Sequence, residues 1–202
     1  MRIPFRELVL ATSNAGKARE LAGLLARTGL TLRTLADFPG VVPVDESGAT
    51  LVENARRKAA GYATQLCSWV LADDTGLEVD ALDGAPGVRS ARFAGPSASM
   101  DDNRSLLLRR LSGHREPWSA QFVCRLALAD PTGTIVAESE GRCPGQIRRE
   151  PKGEQGFGYD VLFEVDGAGR RLAELSAEET AEWGHRGRAV RVLVDTLSNL
   201  RP

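Results

Sequence analysis

The chain has 202 residues, enough for one domain with a sizeable hydrophobic core or for a domain with a small lobe. Charged residues make up 26% of it and hydrophobic residues 42%, a balance typical of globular proteins that excludes a disordered chain. The net charge is −1 and no long basic run is present, which argues against a nucleic-acid polymer as partner. We predict a single domain over residues 1–202.

The sequence shows no signal for a membrane or for secretion. Its apolar runs are all shorter than the about 18 residues that a membrane span needs, and the first ten residues lack a signal-peptide apolar region. Cys67, Cys124 and Cys143 are widely spaced without a Cys-x-x-Cys pair, so neither a zinc site nor a disulfide framework is indicated. We therefore expect a cytoplasmic protein that does not bind membranes.

The first half of the chain reads as alternating strands and helices. Residues 7–11 form a short apolar run that predicts a buried strand, and helical spacing of apolar residues begins near Gly16 or Lys17. Thr50 and Glu53 form a capping-box pair that predicts the start of a second helix. The apolar run 69–72 then predicts another strand.

The second half adds a hairpin and further helices. Ser99 with Asp102 resembles a capping box, and residues 120–128 alternate as a long strand that could pair with 134–140 across a turn. A strand is predicted over 161–165, a short helix after Ser176 and a last helix over 189–197. Because the hairpin breaks strict strand–helix alternation, these elements favour an α/β fold with a mixed sheet.

The most informative block is residues 71–95, LADDTGLEVDALDGAPGVRSARFAG. The predicted strand would end at Asp73 and Asp74 and hold them at the sheet edge, where paired carboxylates suit Mg²⁺. Arg89 and Arg92 follow and suit a substrate that carries phosphate. The alternative is an acidic surface turn, since Asp-Asp-Thr-Gly is ordinary turn composition.

Residues 11–17, ATSNAGK, lie between a predicted strand and a predicted helix. Backbone N–H groups at a helix start favour an anion, and Lys17 adds a positive charge. Ala11 and Ala18 stand where a Walker A loop needs a glycine and a hydroxyl, which argues against a P-loop. The alternative is a capped helix start with a solvated lysine.

Three further groups of residues could contribute to a site, and the first combines a loop with one face of a helix. A carboxylate from the loop with Asp45 and Glu46 could complete a metal site with Asp74, near Asn54 and Lys58 on one helix face. Instead of a functional role, Glu53 could cap the helix and Lys58 could lie on a solvated helix face.

Residues 153–160 place glycines on both sides of Phe157, which allows close approach to a flat ligand, and Tyr159 offers a second stacking face. His185 and Arg186 precede the last helix and could bind a base edge or a phosphate. The alternative for residues 153–160 is a glycine-rich hairpin with a buried aromatic side chain. The alternative for His185 and Arg186 is a polar helix start. His114 stays unassigned.

In order and spacing, the motifs SNAGK, ADDTGLEVDALDGAPGVRSARFAG, GFGYD and HRGRA resemble those of the inosine-triphosphate pyrophosphatase family, the non-canonical purine NTP pyrophosphatases. The resemblance spans Leu10 to Leu197. It implies an elongated mixed β-sheet with flanking helices and two lobes around a nucleotide cleft. It also implies Mg²⁺-dependent hydrolysis of ITP, dITP and XTP to the monophosphate and pyrophosphate by a homodimer that cleanses the nucleotide pool.

The resemblance also implies residue roles. Asp74 would be the general base and, with Glu46, a metal ligand, and Asp73 would support them. The residues implied to contact the substrate are Thr12, Ser13, Asn14, Ala15, Gly16 and Lys17 at the triphosphate, Lys58 and Thr75 beside it, Phe157, Gly158, Tyr159 and Asp160 at the base and sugar, and His185 and Arg186 at the purine edge.

The chain departs from the family pattern at four positions. Thr75 replaces the serine of the family's usual DDSG, Val161 the proline of GFGYDP and Gly184 the serine of SHRG. Thr180 replaces a lysine that is common in the family. The last change removes a charge that relatives place against the nucleotide. Two rival functions remain: a pyrophosphatase for modified pyrimidine or canonical nucleotides, and a non-catalytic nucleotide sensor.

Overall fold

The computed structural model describes residues 5–199. Five α-helices are found there: α1 (Ala15–Leu25), α2 (Leu51–Leu66), α3 (Met100–Leu111), α4 (Ala177–Trp183) and α5 (His185–Asn199). The strands are β1 (Glu7–Leu10), β2 (Thr31–Thr34), β3 (Val70–Val79), β4 (Pro86–Gly87), β5 (Trp118–Ala129), β6 (Ile135–Ile147) and β7 (Phe163–Val165). None of the helices within this range combines the length and the apolar content that crossing a membrane requires.

The strands form a mixed sheet in the order β2-β1-β3-β5-β6-β7, with β4 paired to β3. β1 runs parallel to both of its neighbours, whereas β4 pairs antiparallel with β3 and β7 antiparallel with β6. The predicted fold class, an α/β mixed sheet with flanking helices, is confirmed.

The chain divides into two compact units. Among the described residues, the first contains 5–74, Cys124–Gly141 and 186–199, and the second contains Thr75–Val123 and Arg142–His185. Three strands, β3, β5 and β6, contribute residues to both units. We refer to these below as the first unit and the second unit.

The core of the first unit follows from strand alternation, which sends successive side chains to opposite faces of a sheet. Leu10, Leu71 and Leu126 lie in one buried cluster, with apolar side chains of α1 and α5. Their chain neighbours on β1, β3 and β5 lie in another cluster, with three alanines of α2: Val9, Val70 and Ala127, against Ala55, Ala59 and Ala63. The small alanines let α2 approach its face of the sheet closely.

The second unit has a core of its own, richer in aromatic residues. Trp118, Phe122 and Phe163 are buried together with leucines of α3. The rings of Phe122 and Phe163 pack at a tilt with centroids 4.7 Å apart.

The predicted helix starts are largely confirmed. Ser99 and Ser176 each form a capping box, so Asp102 serves at α3 in place of the usual glutamate. Thr50 caps α2 by accepting from the Glu53 N–H, but the Glu53 carboxylate accepts from the N–H of Ala49 instead of Thr50.

The structure corrects several predicted strands. β3 does not end at Asp73 and Asp74 but continues for five residues beyond them, through the Thr-Gly pair expected to form a turn. β6 is longer than predicted and β7 shorter, and the short strands β2 and β4 were not predicted. The turn composition of the acidic block is overridden because helices on both faces of β3 supply partners for the two carboxylates.

Candidate active site

Strand alternation separates the side chains of the acidic pair. Asp73 contacts Lys17 of α1 and Arg186 of α5, on the face that carries Leu71. Asp74 contacts α2 on the other face. The two carboxylates therefore do not form a joint ligand at a strand end, and each has a different environment.

Asp73 is the centre of a buried charge network. Its side chain has no exposed surface, and Oδ2 lies 3.1 Å from Lys17 Nζ and 3.3 Å from Arg186 Nε. Burial alone would raise the pKa of this carboxyl, but the positive charges of Lys17, Arg186 and Lys58 outweigh burial and hold the pKa well below its usual range. Asp73 is therefore ionised near neutral pH, and its carboxylate pairs with two cations.

The Lys58 ammonium contacts both predicted metal ligands. Its ammonium donates to the carboxylates of Glu46, at 2.9 Å, and Asp74, at 3.1 Å, and to the Asp73 carbonyl at 2.6 Å. Burial disfavours the charged amine, but Asp74, Asp73 and Glu46 outweigh it and raise the Lys58 pKa. The three N–H donors of the ammonium are thus directed at three protein oxygens.

Asp74 has the environment of a proton acceptor. Burial raises the pKa of its carboxyl, and the nearby charges of Lys58 and Lys17 only partly offset that effect. Its Oδ1 accepts from Lys58, and its Oδ2 accepts from the Asn54 amide at 3.3 Å. A raised pKa makes Asp74 a stronger base than an ordinary aspartate, while hydrogen bonds hold both of its oxygens in place.

The carboxylates of Glu46 and Asp74 fit a hard divalent cation. Both already face a single positive charge, the Lys58 ammonium, at distances of 2.9 and 3.1 Å. Within residues 5–199 no group of three or more His, Cys, Asp or Glu side chains could hold a metal by itself. Mg²⁺ is commonly held by one or two carboxylates, with water and substrate phosphate as its other ligands, so this donor pair suits it.

The loop before α1 caps its own helix. Asn14 Oδ1 accepts from the N–H groups of Gly16, at 2.8 Å, and Lys17, at 3.1 Å, and Thr12 Oγ1 accepts from Asn14 N–H. Ser13 and Ala15 are exposed. The capped helix start that was the alternative interpretation is thus present, and triphosphate contacts by residues 12–17 stay a prediction.

In the second unit the glycine-rich segment is held by a side chain. Asp160 Oδ2 accepts from the N–H of Phe157 at 2.8 Å. A Cβ on Gly156 would lie 2.3 Å from the same oxygen, and Gly156 has a φ of +72°, so only glycine fits this turn. Phe157 is half-buried and Asp160 is buried, and their contacts to base and sugar stay predictions.

The structure corrects the expectation that Tyr159 offers a stacking face. Its ring is 2% exposed and lies in the core of the second unit, and its hydroxyl donates to the Ser90 carbonyl at 3.0 Å. Gly158, next to it, accepts from Arg104 Nη1 through its carbonyl at 2.5 Å. Thr75 lies half-buried on β3 in the same unit.

His185 and Arg186, adjacent in the chain, fall in different units and have different partners. His185 is 2% exposed, and its ring stacks on Phe122 with centroids 4.7 Å apart. Arg186 is 3% exposed and donates to Glu20 Oε2 at 2.7 Å as well as to Asp73. Arg186 is thus a member of the Asp73 network, and its predicted place at the purine edge stays a prediction.

Sequence reasoning missed two members of these networks. Glu20 lies one helical turn after Lys17 on α1, so the spacing could have placed both on one face. Asn54 precedes Lys58 by one turn on α2, and this shared face was recognised without assigning a contact to Asn54.

The Ham1 family model matches residues 8–196 of the chain. The chain belongs to the Ham1 family. A relative from Exiguobacterium sp., named dITP/XTP pyrophosphatase, is 48% identical over 93% of this chain and 94% of its own length.

Solved structures of related proteins share the fold. A HAM1 protein from Coxiella burnetii is 36% identical, with a TM-score of 0.85 over 96% of this chain and 99% of its own. A nucleoside-triphosphatase / dITP/XTP pyrophosphatase from Mycobacterium abscessus is 40% identical, with a TM-score of 0.73 over 93% of this chain and 98% of its own. The family that the motifs resemble is therefore confirmed.

Proposed function

We propose that this Ham1-family chain hydrolyses the non-canonical purine nucleoside triphosphates ITP, dITP and XTP to the monophosphate and pyrophosphate. The relatives named dITP/XTP pyrophosphatase support this activity. The observation that carries it is Asp74, a buried carboxylate with a raised pKa that shares the Lys58 ammonium with Glu46.

We assign Glu46 and Asp74 as the residues that hold Mg²⁺. When bound, Mg²⁺ neutralises phosphate oxygens and lowers the pKa of a coordinated water. Lys58 keeps the two carboxylates close together in the free protein by supplying a positive charge between them. Asp73 supports this arrangement because its carbonyl accepts the third N–H of Lys58.

In the proposed reaction, water attacks the α-phosphorus of the substrate. The new bond joins the water oxygen to phosphorus, the bond from phosphorus to the bridging oxygen breaks, and pyrophosphate leaves. Asp74 accepts the proton of the attacking water, a role that contributes about 10²–10⁴-fold to the rate in enzymes. Lys17, held beside Asp73 and 16% exposed, supplies positive charge for the phosphate oxygens.

We assign recognition of the base to Phe157, whose ring is half-buried, and to the segment that Asp160 holds. A hydrogen-bond donor directed at O6 of the base would bind hypoxanthine and xanthine, which both carry an oxygen at that position. Adenine carries an amino group there, which cannot accept this hydrogen bond. The guanidinium of Arg186 donates to Asp73 and Glu20. We propose separately that it also contacts O6 of the base.

The test is pyrophosphate release from ITP, XTP, GTP and ATP, with Mg²⁺ and with EDTA. We expect release from ITP and XTP only with Mg²⁺, and a kcat/KM for ITP about 10⁴-fold above that for ATP, because a polar mismatch leaves buried groups unpaired. Comparable kcat/KM values for ATP and ITP would contradict the proposal. Binding of ITP without pyrophosphate release would indicate a sensor.

We also propose that the protein acts in the cytoplasm as a homodimer on free nucleotides, without a nucleic-acid polymer or a membrane as partner. None of its three cysteines, all of which lie in the part of the chain that the structure describes, forms a disulfide, and Cys124 and Cys143 are buried. Light scattering coupled to size exclusion tests the dimer: a molar mass of one chain would contradict it.

Thr180 is the position at which the resemblance to the inosine-triphosphate pyrophosphatase family implies a lysine. It lies half-buried on α4, and its carbonyl accepts from Gly184 N–H at 2.8 Å, so two departures from the family pattern touch each other. We expect Thr180→Lys to lower the KM for ITP and leave kcat nearly unchanged, because a contact made equally in ground and transition states affects KM alone.

Steady-state kinetics of Thr180→Lys and of Thr180→Gln, a long neutral control, test this point. An unchanged KM in the lysine variant would mean that another cation already fills the role. Lowering of the KM by glutamine as well would mean that side-chain length, and not charge, was missing.

A further inference from the structure

Asn54 connects the loop that carries Glu46 to the strand that carries Asp74. It lies on α2, is 1% exposed, and uses both ends of its amide. Its Oδ1 accepts from the Gly48 N–H at 2.8 Å, and its Nδ2 donates to Asp74 Oδ2 at 3.3 Å. Because a backbone N–H can only donate and a carboxylate only accept, the orientation of the amide is fixed by its partners.

The loop approaches Asn54 so closely that only glycine fits at position 48. A Cβ there would lie 2.5 Å from Asn54 Oδ1 and 2.9 Å from the Glu53 Cβ. The next residue, Ala49, donates its N–H to the Glu53 carboxylate at 2.8 Å. The loop is thus held against the first turn of α2 at two successive residues, directly after Glu46.

These contacts close a ring around the proposed metal ligands. Glu46 and Asp74 share the Lys58 ammonium on one side. On the other side, Asn54 joins Asp74 to Gly48, two residues along the chain from Glu46. The ring limits how far the Glu46 loop can move from Asp74. The amide does this without adding a charge beside the two carboxylates.

We infer that Asn54 is a positioning residue for the divalent cation of the proposed reaction. It holds the Glu46 loop and the Asp74 carboxylate at the separation at which both can bind one ion. This inference rests on the proposed function for the role of the metal, but it concerns the free protein. Partners that orient metal ligands typically contribute about 10–100-fold to metal affinity.

The experiment measures Mn²⁺ binding to the nucleotide-free protein by electron paramagnetic resonance, with Mn²⁺ as a probe of the Mg²⁺ site. We expect Asn54→Ala to raise the Kd for Mn²⁺ by about 10-fold or more. The matched control is Gln65→Ala. Gln65 is an exposed amide on the same helix that holds the backbone of Val42, at 2.9 and 3.1 Å, without touching Asp74. Its removal should leave the Kd unchanged.

Gly48→Ala tests the same connection from the other side and serves where Asn54→Ala does not fold. The added methyl group pushes against Asn54 Oδ1, so Gly48→Ala should also weaken Mn²⁺ binding. In the double variant the clash with Asn54 Oδ1 is gone while the close contact with the Glu53 Cβ stays. The two changes together should therefore raise the Kd by less than the product of their separate effects. Folding of each variant is checked by circular dichroism and thermal unfolding.

The outcomes separate this inference from the proposed function. A folded Asn54→Ala or Gly48→Ala protein that binds Mn²⁺ within twofold of wild type overturns the positioning role, even if wild type hydrolyses ITP. Weakened Mn²⁺ binding in a protein whose wild type does not hydrolyse ITP supports the positioning role and contradicts the proposed function. Wild type that does not bind Mn²⁺ overturns the inference.

Discussion

Asp74→Asn should lower the kcat for ITP hydrolysis by about 10²–10⁴-fold, the usual contribution of a general base. The change keeps the shape of the side chain and an oxygen that can accept from Lys58, but the amide cannot accept the proton of the attacking water and carries no negative charge for Mg²⁺. The KM should change far less than kcat, because the role of a base lies in the transition state. Steady-state kinetics at saturating Mg²⁺ measure both quantities.

Asp80→Asn is the matched control for this prediction. Asp80 follows the end of β3 in the same acidic block, but its side chain is exposed. We expect its kinetics to equal those of wild type. Near-normal turnover in Asp74→Asn would show that another group accepts the proton.

Asp73→Asn should lower the free energy of unfolding by about 3 kcal/mol, because removing one partner of a buried ion pair leaves the others uncompensated. Lys17 and Arg186 would both lose the carboxylate that balances them, although Arg186 keeps Glu20. Urea unfolding near neutral pH measures the difference. The Asp80→Asn control should stay within about 0.5 kcal/mol of wild type, as surface changes usually do.

The difference between wild type and Asp73→Asn should also depend on pH. The folded-state pKa of Asp73 lies below the ordinary value of 3.8, so its contribution to stability is fully present above pH 3.8. The contribution is lost as the pH falls from that value through the folded pKa. The stability difference between the two proteins should therefore shrink in acid. A difference that grows on acidification would contradict the ionised, salt-bridged state of Asp73.

The local parts of the fold could be predicted from the sequence because their causes are local. Ser99 and Ser176 form capping boxes with residues three positions away, and the alternation over β5 places Leu126 and Ala127 on opposite faces. The family and its fold class could also be predicted, since the order of four motifs along the chain carries that information.

The acidic block shows why the rest could not be predicted. Asp-Asp-Thr-Gly has the composition of a turn, and nothing nearby in the sequence indicates that β3 continues through it. One of the two cations that pair with Asp73, Arg186, lies 113 residues further along the chain. Only the fold brings α1, α2 and α5 to the two faces of β3, and with them the charges that make this segment a strand.

The candidate site shows the same limit. Lys58 and Asp74 could be identified as site residues, but not that the Lys58 ammonium lies between the Glu46 and Asp74 carboxylates. Tyr159 was expected to stack on a base because aromatic residues beside glycines are typical of such sites. Its burial against Ser90 depends on contacts between segments that are far apart in sequence.

The central claim is that water attacks the α-phosphorus of a non-canonical purine triphosphate and that pyrophosphate leaves. Hydrolysis of ITP in water labelled with heavy oxygen, followed by mass spectrometry of both products, tests it most directly. The account predicts one labelled oxygen in the inosine monophosphate and none in the pyrophosphate. Label in the pyrophosphate, or release of orthophosphate in its place, would contradict it.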